Sequence, residues 1–204
     1  AYGKEHGKYD LVDLIKRISL LDGLERIRIS SIEITELDDE FMDVLSSGKI
    51  LVDHMHIPLQ SGSNEVLRLM NRKYDKTYFI DKIQQIRNIR PDINITTDLI
   101  VGFPNETDED FTETINNLTQ IKFSKIHTFP YSIRKGTIAE KLKGHLPDKV
   151  KEERADIIKK ISAEKFDEFL KSNLGSQQEV LIEKRLSKDG KYKGVTRNYI
   201  NVLL

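Results

Sequence analysis

The sequence predicts an α/β fold, a parallel sheet or partial barrel, followed by a short all-β segment. Three observations predict it. Strand-like and helix-like stretches alternate from Tyr9 to Ser172, the pattern that builds parallel sheets. Asn94 to Thr107 reads as one complete βα junction: Ile93 and Ile95 alternate with Asn94 and Thr96, Leu99, Ile100 and Val101 run together, and Gly102 allows a sharp turn. After Gly175 the helical period gives way to short β-like runs.

Each element has its own signal. Ala1 to Lys8 is polar and glycine-containing, hence a loop; Leu11, Leu14, Ile15 and Ile18 give a helical stripe over Tyr9 to Leu21, closed by Asp22-Gly23. Alternation predicts a strand over Arg26 to Ile34, with Glu33 near its C-terminal end. Leu37, Phe41, Val44 and Leu45 mark a helix over Thr35 to Ser47, and Leu51 to Ile57 is the next strand, closed by Pro58. A turn at Leu59 to Ser63 leads to a short helix from Asn64 to Met70 and a longer one from Lys76 to Ile89. Phe103 is held extended by Pro104, and Thr107 reads as the N-cap of a helix running to Gln120. Ser124 to Pro130 is a further strand, Tyr131 to Thr137 a loop, and Pro147 starts a helix reaching Ser172. The tail predicts strands at 179–183, 192–196 and 199–204, with Asp189-Gly190 as a hairpin signal.

Composition narrows the function. Formal net charge is zero, so any nucleic-acid binding must come from local patches. The chain has no cysteine, which excludes disulfides and thiolate-ligated metal within these residues. No apolar run has the length of a membrane span, and no signal peptide is visible. Ala1 opens in mid-pattern and Val202 to Leu204 closes in an apolar run, the marks of a piece of a longer protein.

Four polar groups fall at C-terminal strand ends: Glu33, the Gln60-Ser61-Gly62-Ser63 turn, Asp98 with Gly102, and Tyr131-Ser132. In parallel sheets and barrels that edge carries the ligand site. Amides and hydroxyls there suit a carboxylate, ribose or phosphate. His54 and His56 share a strand face, but no third metal ligand lies near, and polar lining of a barrel interior is the better reading. Arg72-Lys73 and Arg134-Lys135 are candidate phosphate contacts, as is the basic tail with Lys184, Arg185 and Arg197. On the residues alone three readings stand: an enzyme built on this edge, a non-catalytic RNA- or nucleotide-binding module, and a hydrolase or lyase using Glu33 or Asp98 as base.

Three blocks carry a resemblance: HIPLQSGSNEVLRLMNRKY at His56 to Tyr74, TTDLIVGFPNETDEDF at Thr96 to Phe111, and FPYSIRKGT at Phe129 to Thr137. In this order and separation they resemble the radical S-adenosylmethionine methylthiotransferases. RISSIEI at Arg28 to Ile34 is more similar to the tRNA branch named MtaB than to MiaB or to RimO, which acts on a ribosomal protein. Gly175-Ser176-Gln177, Val180 to Lys184 and Asn198 to Val202 resemble the start of a TRAM domain, a small RNA-binding β-barrel.

The resemblance implies a partial TIM-like barrel over residues 1–173 and a truncated TRAM-like segment over 174–204. It implies S-adenosylmethionine and [4Fe–4S] clusters as cofactors, an electron donor to reduce the cluster, tRNA as partner, and a cytoplasmic enzyme. Reductive cleavage of the S–C bond would give a deoxyadenosyl radical that removes hydrogen from the target carbon, to which sulfur and a methyl group are added. For the MtaB branch the target is N6-threonylcarbamoyladenosine beside the anticodon. Carried over, Gln60, Ser61, Gly62, Asp98, Val101, Gly102, Phe103 and Pro104 would face S-adenosylmethionine, with Val101 and Phe103 offering an apolar slot for adenine. Glu33, Tyr131 and Ser132 would be neighbours of cofactor or substrate. The family's three cluster cysteines and its N-terminal domain would precede Ala1, so this chain alone is expected to be inactive.

Overall fold

A computed structural model describes residues 3, 7, 9–48, 50–186 and 190–204; the side chains of Lys184, Arg185 and Leu186 are not described. The expected loop at 1–8 and the Asp189-Gly190 hairpin signal therefore fall largely outside the described residues. Two sheets are present among the described residues. The first is parallel, ordered β1 (His54–His56), β2 (Asn94–Val101), β3 (Lys125–Pro130). The second is antiparallel, ordered β4 (Val180–Leu186), β5 (Tyr192–Thr196), β6 (Asn201–Leu203).

Among the described residues the α-helices are α1 (Leu11–Ile18), α2 (Asp39–Ser47), α3 (Asn64–Leu69), α4 (Lys76–Ile89), α5 (Asp108–Gln120) and α6 (Asp148–Ser172). Side chains alternate across a strand, and here the alternation separates oil from water. Ile95, Leu99 and Val101 of β2, Met55 of β1 and Ile126 of β3 join one core with Phe79, Ile83 and Ile86 of α4, Phe111 and Leu118 of α5, and Ala155 and Ile158 of α6. The opposite face carries His54, His56, Asn94, Thr96, Asp98 and His127. A parallel sheet covered by helices on its apolar face, with its other face open and polar, fits a partial barrel whose inner face is the polar one.

Short polar side chains set the helix starts. Ser63, Asp75 and Thr107 each accept the backbone N–H three residues on, at the heads of α3, α4 and α5. Thr107 and Asp110 form a reciprocal capping box. β3 ends the sheet, and α6 covers its free edge: Ser162 Oγ accepts the Ile126 N–H (2.9 Å) and donates to the Ile126 carbonyl (3.0 Å).

Two sequence expectations need correction. The strand over 26–34 is reduced to an isolated bridge, Ile27 to Leu51, plus one bond from Ile32 N–H to the His56 carbonyl, because a bend at Ser30 breaks the ladder. The helix over 35–47 is split: Ile34–Glu36 is a 3₁₀ turn, and α2 starts only after Asp38, whose carboxylate caps Phe41 N–H. Among the described residues no helix is long and apolar enough to cross a membrane.

Candidate functional site

Gln60 and Asp98 meet directly. Gln60 N–H donates to the Asp98 carbonyl (2.9 Å), and Ile100 N–H donates back to the Gln60 carbonyl (2.9 Å). Gln60 thus extends the β1 pairing beyond Pro58, at a left-handed φ of 66° that a non-glycine residue adopts only under constraint. On the next strand, Tyr131 N–H donates to the Val101 carbonyl (2.8 Å). So the Gln60 turn, Asp98 to Pro104, and Tyr131 share one edge, the C-terminal end of the parallel sheet.

The Gln60 turn is built from beneath by α5. Gly62 N–H donates to Thr114 Oγ1 (3.2 Å), Asn117 Nδ2 donates to the Gly62 carbonyl (2.7 Å), and Ser63 Oγ donates to Asp110 Oδ1 (2.6 Å). Ser61 Oγ accepts the Ser63 N–H (3.2 Å). A Cβ at Gly62 would lie 2.7 Å from Thr114 Cα, so only glycine permits this approach. Ser61 and Gly62 therefore shape the turn, and Gln60 is its partly exposed side chain. Burial opposes ionisation of Asp110, yet hydrogen bonds from Ser63 and Thr107 hold its carboxyl below the usual range.

Asp98 points to the concave face, where Asp98 Oδ2 lies 3.2 Å from His56 Nε2. Thr96 Oγ1 bonds His56 Nδ1 (2.9 Å) and His54 Nε2 (3.3 Å). The His127 ring lies 5.7 Å from that of His56, and burial pushes its pKa down. Among the described residues no cluster of three His, Asp or Glu has the arrangement of a metal site.

The expected adenine slot needs revision. Val101 faces the helix layer and is part of the core, because it is an odd number of residues from Asp98 along the strand. Ile100 and its β3 partner Phe129, which is half exposed, share Asp98's face instead. Phe103 and Pro104 are buried at the mouth, and Phe103 packs edge-on against Tyr131 (5.1 Å, 71°). Tyr131 OH is buried without a hydrogen-bond partner, and so is Nδ1 of His145, whose ring stacks 6.0 Å from Tyr131. Ser132 is exposed.

Three residues that the sequence reading did not single out hold this edge. Gly102 N–H donates to Glu106 Oε1 (2.9 Å), and Glu106 forms a buried ion pair with Arg154 of α6, which also bonds Asp108 (2.7 Å). Burial pushes the Glu106 carboxyl up, against the pull of the Gly102 amide and Arg154. Lys151 lies directly over Gly102, where φ is +72°. Glu106 falls within the Thr96 to Phe111 block, but no local pattern pairs it with Arg154, 48 positions away.

The basic candidates divide. Arg72 is paired with Glu33 (2.9 Å), and Arg197 binds Asp53 (3.5 Å) and the Leu51 carbonyl (3.2 Å) at the opposite end of the sheet. Lys73, Arg134 and Lys135 are exposed. The side chains of Lys184 and Arg185 lie outside the described residues.

Residues 2–118 match the radical SAM superfamily. The chain belongs to the radical SAM superfamily. This radical SAM chain is 37% identical over 206 residues to the threonylcarbamoyladenosine tRNA methylthiotransferase MtaB of Bacillus subtilis, covering 99% of this chain and 46% of the relative. It is 42% identical over 189 residues to the tRNA-2-methylthio-N(6)-dimethylallyladenosine synthase of the same organism, covering 90% of this chain and 36% of the relative. It is 40% identical over 203 residues to MtaB of Aquifex aeolicus, with 98% and 47% covered. The chain thus spans about half the length, or less, of these curated relatives. Its fold is similar to that of the radical SAM enzyme coproporphyrinogen III oxidase of Escherichia coli, with a TM-score of 0.57, 20% identity, and 69% of this chain and 32% of that one covered.

The mouth residues fit an adenosyl group in chemical kind. Gln60 offers an amide, Asp98 a carboxylate, Tyr131 an unpartnered buried hydroxyl, and Ile100 with Phe129 an apolar face. Cluster ligands of the thiolate kind are absent from the sequence, which holds no cysteine.

Proposed function

We propose that this chain is the barrel portion of a tRNA methylthiotransferase, acting on N6-threonylcarbamoyladenosine beside the anticodon. The observation that carries the reading is the shared edge: Gln60, Asp98 and Tyr131 are tied into one strand-end row by backbone hydrogen bonds, in a chain whose curated relatives are tRNA methylthiotransferases. S-adenosylmethionine, with a reduced [4Fe–4S] cluster, would supply radical chemistry strong enough to activate an unreactive C–H bond.

The chain's own residues do the positioning. Gln60 and Tyr131 hold the amino-acid and ribose portions, and Ile100 with Phe129 supports the adenine. Asp98, oriented by His56, faces the space the substrate base enters. Residues 174–204 begin an RNA-binding module, and Lys73, Arg134 and Lys135 contribute phosphate contacts near the mouth. A reductant for the cluster is a required partner, and the cluster cysteines are supplied by sequence outside these residues.

The test uses the full-length protein with reconstituted clusters, S-adenosylmethionine, a reductant and two tRNAs, one carrying threonylcarbamoyladenosine and one carrying dimethylallyladenosine. Nucleoside mass spectrometry should show the methylthio group on the first alone. Modification of the second alone would assign the protein to the other branch, to which the chain is also similar (42% identity over 189 residues to the dimethylallyladenosine synthase). Modification of neither would reject both. Residues 1–204 alone should form no 5′-deoxyadenosine after cluster reconstitution; turnover there would overturn the expected external cluster ligands.

A further inference from the structure

The C-terminal sheet does more than sit beside the barrel. The turn between β5 and β6 is inserted at the foot of the parallel sheet, the end opposite Gln60. Asp53 N–H donates to the Arg197 carbonyl (3.0 Å), and Asn94 Nδ2 donates to the Asn198 carbonyl (2.7 Å). Asn198 Nδ2 in turn donates to Asn173 Oδ1 at the end of α6 (2.7 Å). Arg26 bonds Glu179 (2.7 Å) on the flank of the same contact.

Tyr199 lies at the centre. Its ring sits 4.9 Å from the His54 ring, and the Arg28 guanidinium lies over it at 4.1 Å. The backbone is bent to place it there: φ at Tyr199 is +67°, a conformation costly for an aromatic residue. Thr196 enforces the bend, accepting the Tyr199 N–H at its carbonyl (3.0 Å) and the Ile200 N–H at its hydroxyl (2.8 Å). A strained aromatic residue held by a dedicated network implies that the ring's location matters.

Above Tyr199 a continuous column of side chains runs along the concave face. It passes from His54 to Thr96 (3.3 Å), to His56 (2.9 Å), to Asp98 (3.2 Å), whose carbonyl accepts the Gln60 N–H. We propose that Tyr199 is a positioning residue of the barrel: its ring is the floor of the concave face and fixes His54 at the base of the column that ends at Asp98 and the Gln60 turn. The module read as RNA-binding is then also a structural part of the barrel, which is incomplete without it.

His54 reports on this contact. Burial, then the charge of Arg28, then His56 lower its pKa to about 4. The groups facing it are Arg28 from the 26–34 segment, His56 on its own strand, Thr96 on β2 and Tyr199 from the C-terminal turn. Lifting the ring away would wet His54 and raise its pKa.

The experiment compares full-length wild type with Tyr199→Gly, Tyr199→Asn and Tyr199→Phe. Histidine C2-hydrogen exchange, read by mass spectrometry across pH, gives the His54 midpoint. Gly and Asn tolerate the positive φ, so the turn is retained while the ring is lost. Wild type and Tyr199→Phe should titrate near about 4; the ring-less variants should move upward by more than about one unit, toward the ordinary value near 6.5. An unshifted midpoint in folded ring-less variants, or a Phe variant shifted as far as Gly, overturns the proposal. Failure of both ring-less variants to fold overturns it too, since the ring would then be a stability element only. Which RNA base is modified has no bearing on this contact, so the two proposals fail separately.

Discussion

The residues that hold the candidate site are mostly not those that would touch a ligand. Glu106 accepts the Gly102 N–H while paired with buried Arg154. Removing one partner of a buried pair strands the other charge, at a cost of roughly 3–5 kcal/mol. Arg154→Met should lose about that much in urea unfolding. Adding Glu106→Gln, which removes the stranded charge but still accepts from Gly102, should recover a large part of it. Gly62→Ala tests the opposite kind of constraint. Its Cβ would press on Thr114 Cα at 2.7 Å, and the overpacking should cost about 1–3 kcal/mol. Circular dichroism melts will show it as a lowered Tm.

Among the elements, the edge strand is the most exposed to failure. β3 has β2 on one side only, and Ser162 of α6 satisfies both backbone groups of Ile126 on the other. Ser162→Ala leaves these buried groups unpaired, at about 1–3 kcal/mol. The Ile126 amide should exchange with solvent measurably faster, while amides of α4, which Ser162 does not touch, should keep their rates. The start of α5 was legible because its cap, Thr107, is a short polar residue next in sequence; the start of α2 was not, because the apolar period of Leu37, Phe41, Val44 and Leu45 runs straight through its cap, Asp38. The 26–34 strand was misjudged because alternation reports which residues face inward and says nothing about whether a neighbouring ladder exists.

For the whole molecule, pH couples to stability through the concave face. His54 titrates at about 4 in the fold and near 6.5 when unfolded. Above pH ~6.5 both states hold a neutral ring, and the stability is full. As pH falls from ~6.5 to ~4 the unfolded chain takes up a proton that the folded chain refuses, so stability drops; below ~4 this group adds no further loss. With allowance for solvent screening the loss is about 2 kcal/mol. Urea unfolding at pH 7 and at pH 4.5 should show the difference, and His54→Gln should remove this part of it.

The sequence by itself determined the α/β alternation, the Thr107 cap, the turn at Gly102 and the membership of Gln60, Asp98 and Tyr131 in one strand-end edge, because each follows from local spacing and from the rule that parallel strands expose the same ends together. Tertiary structure alone decided the rest. It turned Val101 into the core and put Ile100 and Phe129 in the open, set Arg154 on Glu106, engaged Arg72 and Arg197 in ion pairs, and seated Tyr199 beneath His54. These contacts join residues that lie far apart along the chain, and no local pattern records which distant side chain will arrive to satisfy a buried charge or cover an open face.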